Sequence, residues 1–389
     1  YSTQHLWDRN FFLQTTYEKE LSSHWDFRIA ARYNKAYQHY LNPGVWNINK
    51  KEENIYHQQE YYLSASVLYR AFQHLSFSFS TDGAINTLKA NFHQYPDPQR
   101  YSWLSVLAVK YINEIVSVTG SLLGTVIREK VEFGDCAGNH RKLSPYAAVS
   151  VKPFAGEDFR IRLFFKDIFR LPSFNDLYYT RVGNSDLTPE SVRQYNLGIA
   201  YTENLGPYLQ EITCTIDGYY NKVTDKIIAI PTKNIFVWTM MNLGKVDIKG
   251  IDVAADISIV PFRKLKVNIG GAYTYQRALD VTDPNNGVYR HQIAYTPRIS
   301  GSARMGIQTP CLDLAYNLIF SGHRYALGQN FSDNRLPGYT DHSLSVSRSF
   351  TLKGMELYFN LEALNLAGKN YEVIRYFPMP GRSFRATLT

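Results

Sequence analysis

No stretch of this 389-residue chain is long and apolar enough to cross a bilayer as a helix, and the mean hydropathy of -0.31 agrees with that. A bundle of membrane-spanning helices is excluded. Cysteine is scarce: Cys136, Cys214 and Cys311 are too few and too scattered for a disulfide framework, and their odd number leaves at least one unpaired. The formal net charge is +8, but the basic residues are dispersed and never form a run of roughly five or six, so nucleic acid is not expected as a partner. No basic segment followed by an apolar one marks a signal peptide, which is expected to have been removed or to precede the first residue. Catalytic signatures are missing too. There is no G-x-S-x-G, no H-E-x-x-H and no cysteine pair at metal-binding spacing, so no enzymatic activity is expected.

What the chain does contain is rings, 30 Tyr, 22 Phe and 5 Trp, together with a period of two. Phe159, Ile161, Leu163 and Phe165 alternate with Arg160, Arg162 and Phe164. Leu357, Phe359 and Leu361 alternate with Glu356, Tyr358, Asn360 and Glu362, and Phe27, Ile29, Ala31 and Tyr33 with Asp26, Arg28 and Arg32. Short turns are expected near Ser22–His24, Gln73–His74, Asn113–Glu114, Ala155–Asp158, Asn204–Pro207, Pro261–Arg263, Thr309–Cys311 and Leu352–Gly354. Between them fall long polar loops around Asn42–Tyr56, Phe92–Gln99, Gly134–Arg141, Leu171–Ser191, Ile230–Phe236, Leu279–Val288, His323–Leu336 and Tyr376–Pro380. Strict alternation of short and long connections places all long loops at one end, the arrangement of a transmembrane antiparallel β-barrel. The count is about 17 strands, many longer than the roughly 9–11 residues that cross a bilayer. A soluble sandwich has strands of about 5–6 residues and does not fit. Charged residues at alternate strand positions would cost on the order of 2–4 kcal/mol facing lipid at the midplane, so they face a wet or plugged interior. Ring pairs near strand ends, such as Tyr61 and Tyr62 or Tyr101 and Trp103, read as interfacial girdles, with ligand stacking as the sharper alternative.

Two stretches carry a family resemblance. The run from Phe169-Arg170-Leu171-Pro172 through Asn175-Asp176-Leu177-Tyr178-Tyr179 to Gly183-Asn184-Ser185-Asp186-Leu187-Thr188-Pro189-Glu190 resembles the FR-x-P…N-x-x-L-x-PE block of TonB-dependent outer-membrane receptors. Glu362-Ala363-Leu364-Asn365-Leu366, with Asn370-Tyr371-Glu372 and Pro380-Gly381-Arg382, is similar to that family's C-terminal block, and the wording is nearest the Bacteroidetes branch grouped with cobalamin and siderophore receptors. The resemblance implies an all-β barrel of 22 strands around an N-terminal plug. Residues 1–389 would be a single partial barrel domain, strands 6–22, with the plug absent, from a longer or split polypeptide. It also implies the outer membrane as location, and outer-membrane lipid, the TonB complex (through an N-terminal segment) and a surface lipoprotein as partners. The expected activity is import of a large, scarce metal chelate, a cobalamin-type corrinoid first and an iron–siderophore second. Alternatives are a haem receptor, or a structural docking barrel holding a lipoprotein.

Candidate ligand contacts on the long loops are Phe174, Asn175, Asp176, Tyr178, Tyr179 and Arg181, the ring and thioether group Phe236, Trp238, Met240 and Met241, and Tyr325. For the Phe174–Pro189 segment the plainer reading is a folding role at the barrel rim, since Pro172 ends strand pairing and Gly183-Asn184 with Asp186 supply a turn. A haem-type histidine is missing from Ser173–Gly183, leaving only His93, His140 and His323 in loops. No cofactor is expected, except that Asp280, Asp283 and Asn285 crowd oxygen donors into one loop, a weak calcium candidate without the spacing of an EF-hand.

Overall fold

Alternating side chains force long extended segments, and the computed structural model describes them over residues 3–44, 51–180, 182–231, 238–352 and 354–389. Seventeen strands form one sheet in which each strand pairs with the next in sequence. They are β1 (His5–Ser22), β2 (Trp25–Asn42), β3 (Glu52–Phe72), β4 (Leu75–Ala90), β5 (Gln99–Ile112), β6 (Val116–Lys130), β7 (His140–Val151), β8 (Asp158–Arg170) and β9 (Glu190–Glu203), followed by β10 (Leu209–Pro231), β11 (Trp238–Phe262), β12 (Leu265–Asp280), β13 (Ile299–Gln308), β14 (Asp313–Ser321), β15 (Tyr339–Leu352), β16 (Met355–Leu364) and β17 (Ser383–Leu388). The expected strand number is met, and among the described residues short and long connections alternate; the loop expected over Ile230–Phe236 lies largely outside the described residues. Among the described residues no helix is long and apolar enough to cross a membrane.

The chain divides into two compact units, Tyr1–Val149 with Lys166–Val192 and Asp225–Asn242, and Ser150–Phe165 with Arg193–Thr224 and Leu243–Thr389. In the first unit the registers from β1 to β6 line up whole rows. Leu13, Tyr33, Tyr61, Ile85 and Tyr101 are successive cross-strand partners near the long-loop end. Tyr33 and Tyr61 sit 5.0 Å apart there, and Trp25 stacks on Tyr69 at 4.4 Å near the short turns. These rings bracket an apolar face. On β5 the ten steps from Tyr101 to Tyr111 span roughly 34 Å of strand. At a tilt of about 40° that is roughly 26 Å of height, matching the apolar band of an outer-membrane barrel. The opposite face is polar: Arg32 pairs with Glu60 at 2.5 Å, Asn86 donates to Glu60 at 3.1 Å and Ser64 donates to Asp82 at 2.6 Å. Arg32, Glu60 and Asp82 therefore meet partners off the lipid face.

The second unit repeats this logic. Ile251, Ile269, Tyr273, Tyr275, Met305, Ile319 and Leu361 are exposed, while Arg304 pairs with Asp256 at 2.5 Å and Arg162 with Asp217 at 2.8 Å. Gly301 lies between Tyr273 and Phe320, and a Cβ there would stand 2.6 Å from the Phe320 ring, so glycine is what lets the two rings approach across β13. The long connections are more built than sequence suggests. Arg324–Tyr325 pairs with Arg335–Leu336, and Glu372–Ile374 with Phe377–Pro378, so the last loop runs from 365 to 382 rather than over Tyr376–Pro380 alone.

Candidate functional site

The segment after β8 is where chemistry collects in the first unit. Pro172 ends the ladder because it has no N–H to donate. Ser173 then starts the one-turn helix α1 (Phe174–Tyr178) through reciprocal capping: its hydroxyl accepts from Asp176 N at 3.2 Å, and the Asp176 carboxylate accepts from Ser173 N at 2.8 Å. Phe174, Leu177 and Tyr178 share the buried face of that turn. They pack with Tyr56, Leu88, Tyr95, Leu187 and Ile227 into one buried core. Gly183 is required here, since a Cβ would stand 2.7 Å from Tyr179 N. On the return, Asn184 donates to Met240 O at 3.1 Å, and Asn242 exchanges bonds with Thr188. The buried Glu190 carboxylate accepts from Ile227 N at 3.0 Å and from Arg170 at 3.4 Å. The second and last residues of the motif, Arg170 and Glu190, thus bond to each other.

Beneath α1 lies a buried polar knot. The Arg100 guanidinium donates to Glu129 at 2.6 Å and to Pro172 O at 2.8 Å, and lies 4.8 Å from the Phe174 ring centre. Tyr178 donates a short hydrogen bond to the other Glu129 oxygen, and Tyr95 donates to Tyr178 O at 3.1 Å. Burial raises the ionisation of both tyrosines above the ordinary phenol value, and at Tyr178 the bond to Glu129 adds to it. Phenols in an unfolded loop ionise near pH 10, so the stability these two confer is complete below about pH 10 and is lost as pH rises toward the folded values. The loss is about 1.4 kcal/mol per pH unit for each phenol. A spectrophotometric tyrosine titration run alongside limited proteolysis should show the two phenols that Tyr95→Phe and Tyr178→Phe remove ionising only as residues 171–189 become cleavable. Ionisation without cleavage would refute the assignment.

Most ligand candidates in this segment make contacts within the protein. Phe174 and Tyr178 are buried, and Asp176 is occupied by the cap and by Arg170 at 3.6 Å. Asn175 stays exposed. Tyr179 stacks on Tyr56 at 4.3 Å, its ionisation pushed up to about 12, chiefly by burial. Beside that stack is a recess of ≈ 170 Å³ whose lining includes Asp8, Asn10, Gln38, Gln58 and Asn175. Met240 packs against the core, Trp238 and Met241 are half-buried at the start of β11, and Arg181 and Phe236 lie outside the described residues. Tyr325, in the second unit, meets His323 edge-on at 6.0 Å. His140 contacts Ala137 O at 3.1 Å and His93 is exposed. Asp280 accepts from Thr282 N and Asp283 from Asn285 N, each at 2.9 Å, so both carboxylates serve local turns. Among the described residues no group of three metal-type side chains converges. Sequence reasoning missed Tyr56, Tyr95, Arg100 and Glu129, which lie far from the motif in the chain. The available signal was a charged pair on two neighbouring strands, each two residues from a long loop.

The matching family profile, described as "TonB dependent receptor-like, beta-barrel", covers residues 1–366. The chain belongs to that family. It is an all-β, outer-membrane β-barrel chain. A Vitamin B12 transporter BtuB from Vibrio vulnificus is 34% identical over 87 residues, 22% of this chain and 13% of that protein. A Vitamin B12 transporter BtuB from Photobacterium profundum is 24% identical over 225 residues, 57% of this chain and 33% of that protein. The matched region thus spans a third or less of these relatives. The copper transporter OprC superposes over 98% of this chain and 64% of its own, with a TM-score of 0.76 at 13% identity. For the siderophore receptor PiuA from Acinetobacter baumannii the figures are 100%, 65%, 0.72 and 13%. At that identity these two structures speak to the fold alone.

Proposed function

We propose that this TonB-dependent receptor chain serves uptake of a large metal chelate across the outer membrane, with a cobalamin-type corrinoid ahead of an iron–siderophore. The observation that carries the preference is the amide-lined recess beside the Tyr179–Tyr56 stack. Asn10, Gln38, Gln58 and Asn175 each carry amide donors and an acceptor, and among the described lining residues Asp8 alone is charged, already bonded by Gln38 at 3.1 Å. Neutral amide arms, such as those around a corrin ring, match such a lining better than the anionic groups of most ferric chelates. At ≈ 170 Å³ the recess admits one arm of the ligand and not its body. The names of the two relatives point the same way. Energy-dependent release would require the TonB complex, and a surface lipoprotein on the long loops is a further proposed partner.

The test is titration of the full-length protein in detergent with cyanocobalamin and, separately, with ferric chelates of catecholate and hydroxamate type. Cyanocobalamin should bind more tightly, and Gln58→Glu and Tyr179→Ala should each weaken it about tenfold, the equivalent of about 1.4 kcal/mol. Tighter binding of a ferric chelate would replace the corrinoid with a siderophore. Co-purification of a lipoprotein with no chelate binding would leave a docking barrel.

A further inference from the structure

A cavity of ≈ 1010 Å³ in the first unit lies on its membrane face. Its floor is a row of cross-strand partners, Thr15, Ala31, Leu63, Gly83, Trp103 and Val126, in which three of the first four β-strands contribute a small residue. The row above is bulky, with Tyr33, Tyr61, Ile85 and Tyr101, so a trough opens beneath the ring girdle. The side chains at Leu63 and Trp103 are exposed and Gly83 leaves the space between them empty, since a Cβ built there meets nothing within 4 Å.

At the upper rim the chemistry changes. Arg128 lines the cavity as the partner of Tyr101, and Lys130 follows on the same face opposite Gln99. Lys35, opposite Gln59, and Lys89, opposite His57, occupy equivalent outward positions on β2 and β4. All four are exposed, and among the described residues none has an ion pair or a side-chain hydrogen bond. By contrast, Glu53 is held by Lys51 at 2.7 Å and His39 at 2.9 Å. Lys35 and Lys130 are four strands apart, roughly 19 Å at about 4.8 Å per strand. That span exceeds a single phosphate group. Cations near the interface cost little against lipid, whereas at the midplane they would cost much more, so their height just above the rings is where anionic headgroups lie.

We propose that this trough binds a bisphosphorylated, multiply acylated glycolipid of the outer leaflet, an acyl chain lying along Ala31, Gly83 and Trp103 and the phosphates meeting Arg128, Lys130, Lys89 and Lys35. Charge complementarity selects this occupant over a neutral lipid. The experiment is native mass spectrometry of the full-length protein in detergent, titrated with lipid A, with its dephosphorylated form and with phosphatidylethanolamine. Lipid A should be retained about tenfold more strongly than either. Arg128→Gln with Lys130→Gln should remove that preference, while Gly83→Trp, whose Cβ enters open space, should fill the trough and reduce retention of lipid A and its dephosphorylated form alike. Equal retention of all three lipids, no effect of either variant set, or a second copy of the protein in place of lipid would overturn the proposal. The two variant sets act on different parts of the site, so a folding failure in one leaves the other decisive.

Discussion

Arg100→Leu should free the segment between β8 and β9 while leaving the strands around it intact. The Glu129 side chain is 1% exposed, and its charge is balanced by the Arg100 guanidinium at 2.6 Å. Removing one partner of such a pair costs about 3–5 kcal/mol, because the remaining charge stays buried and uncompensated. The same substitution removes the bond to Pro172 O and the cation over Phe174. The strand ladders are independent of these contacts, so the loss should be local. Hydrogen exchange of amides in residues 173–188 should accelerate on the order of 100- to 1000-fold, with the thermal midpoint of the sheet nearly unchanged. The double variant Arg100→Leu with Glu129→Leu should recover a large part of the protection, since it removes both charges together. Unchanged exchange in the single variant would show that the apolar core alone holds the segment.

The second large effect is expected at Arg324, which is buried in the other unit. Its guanidinium donates to Pro337 O at 3.3 Å, to Val373 O at 2.9 Å and, by a short bond, to Glu372 O, and it lies 5.3 Å from the Tyr339 ring centre. Tyr339 in turn stacks on Tyr371 at 4.3 Å, and Tyr371 donates to Asp341 at 2.6 Å. One side chain therefore ties two long connections together. Arg324→Ala strands three carbonyls, and at about 1–3 kcal/mol for each buried group left unsatisfied the total should reach roughly 3 kcal/mol or more. Arg324→Lys should restore less than half of it, because an ammonium cannot present a planar fork to three acceptors. Limited proteolysis reads this directly. New cleavage between residues 371 and 379 is expected in the alanine variant, some in the lysine variant and none in the parent, and equal cleavage in all three would refute the role.

The fold was legible because its determinants are local. A period of two read over Phe159–Phe165 or Phe27–Tyr33 is itself the instruction for which side meets lipid, and the turn residues mark the strand ends. The site was legible only at Phe169–Glu190. The motif was visible, but whether its rings meet ligand or core depends on Tyr56, Tyr95, Arg100 and Glu129, which strand register brings beneath α1 from positions 45 to 118 residues before Phe174. Nothing in a linear pattern reports that register. The same holds for Arg324, whose acceptors are backbone carbonyls that no side-chain pattern records. The trough at Gly83 was invisible for a related reason: one glycine is unremarked until Leu63 and Trp103 are seen on either side of it.

The bond from Arg170 to Glu190 has a consequence for how such chains are recognised. The residues that make the family block distinctive hold the ends of one loop together, cap one short helix and fill one core, and none of these tasks depends on what enters from outside. A search keyed to that block will therefore retrieve the scaffold whatever it carries, while Asn10, Gln38 and Gln58, which line the recess, lie outside the signature. If the proposed recess takes the ligand, cargo and kinship are written largely on different residues, and only the second is spelled out in consecutive letters.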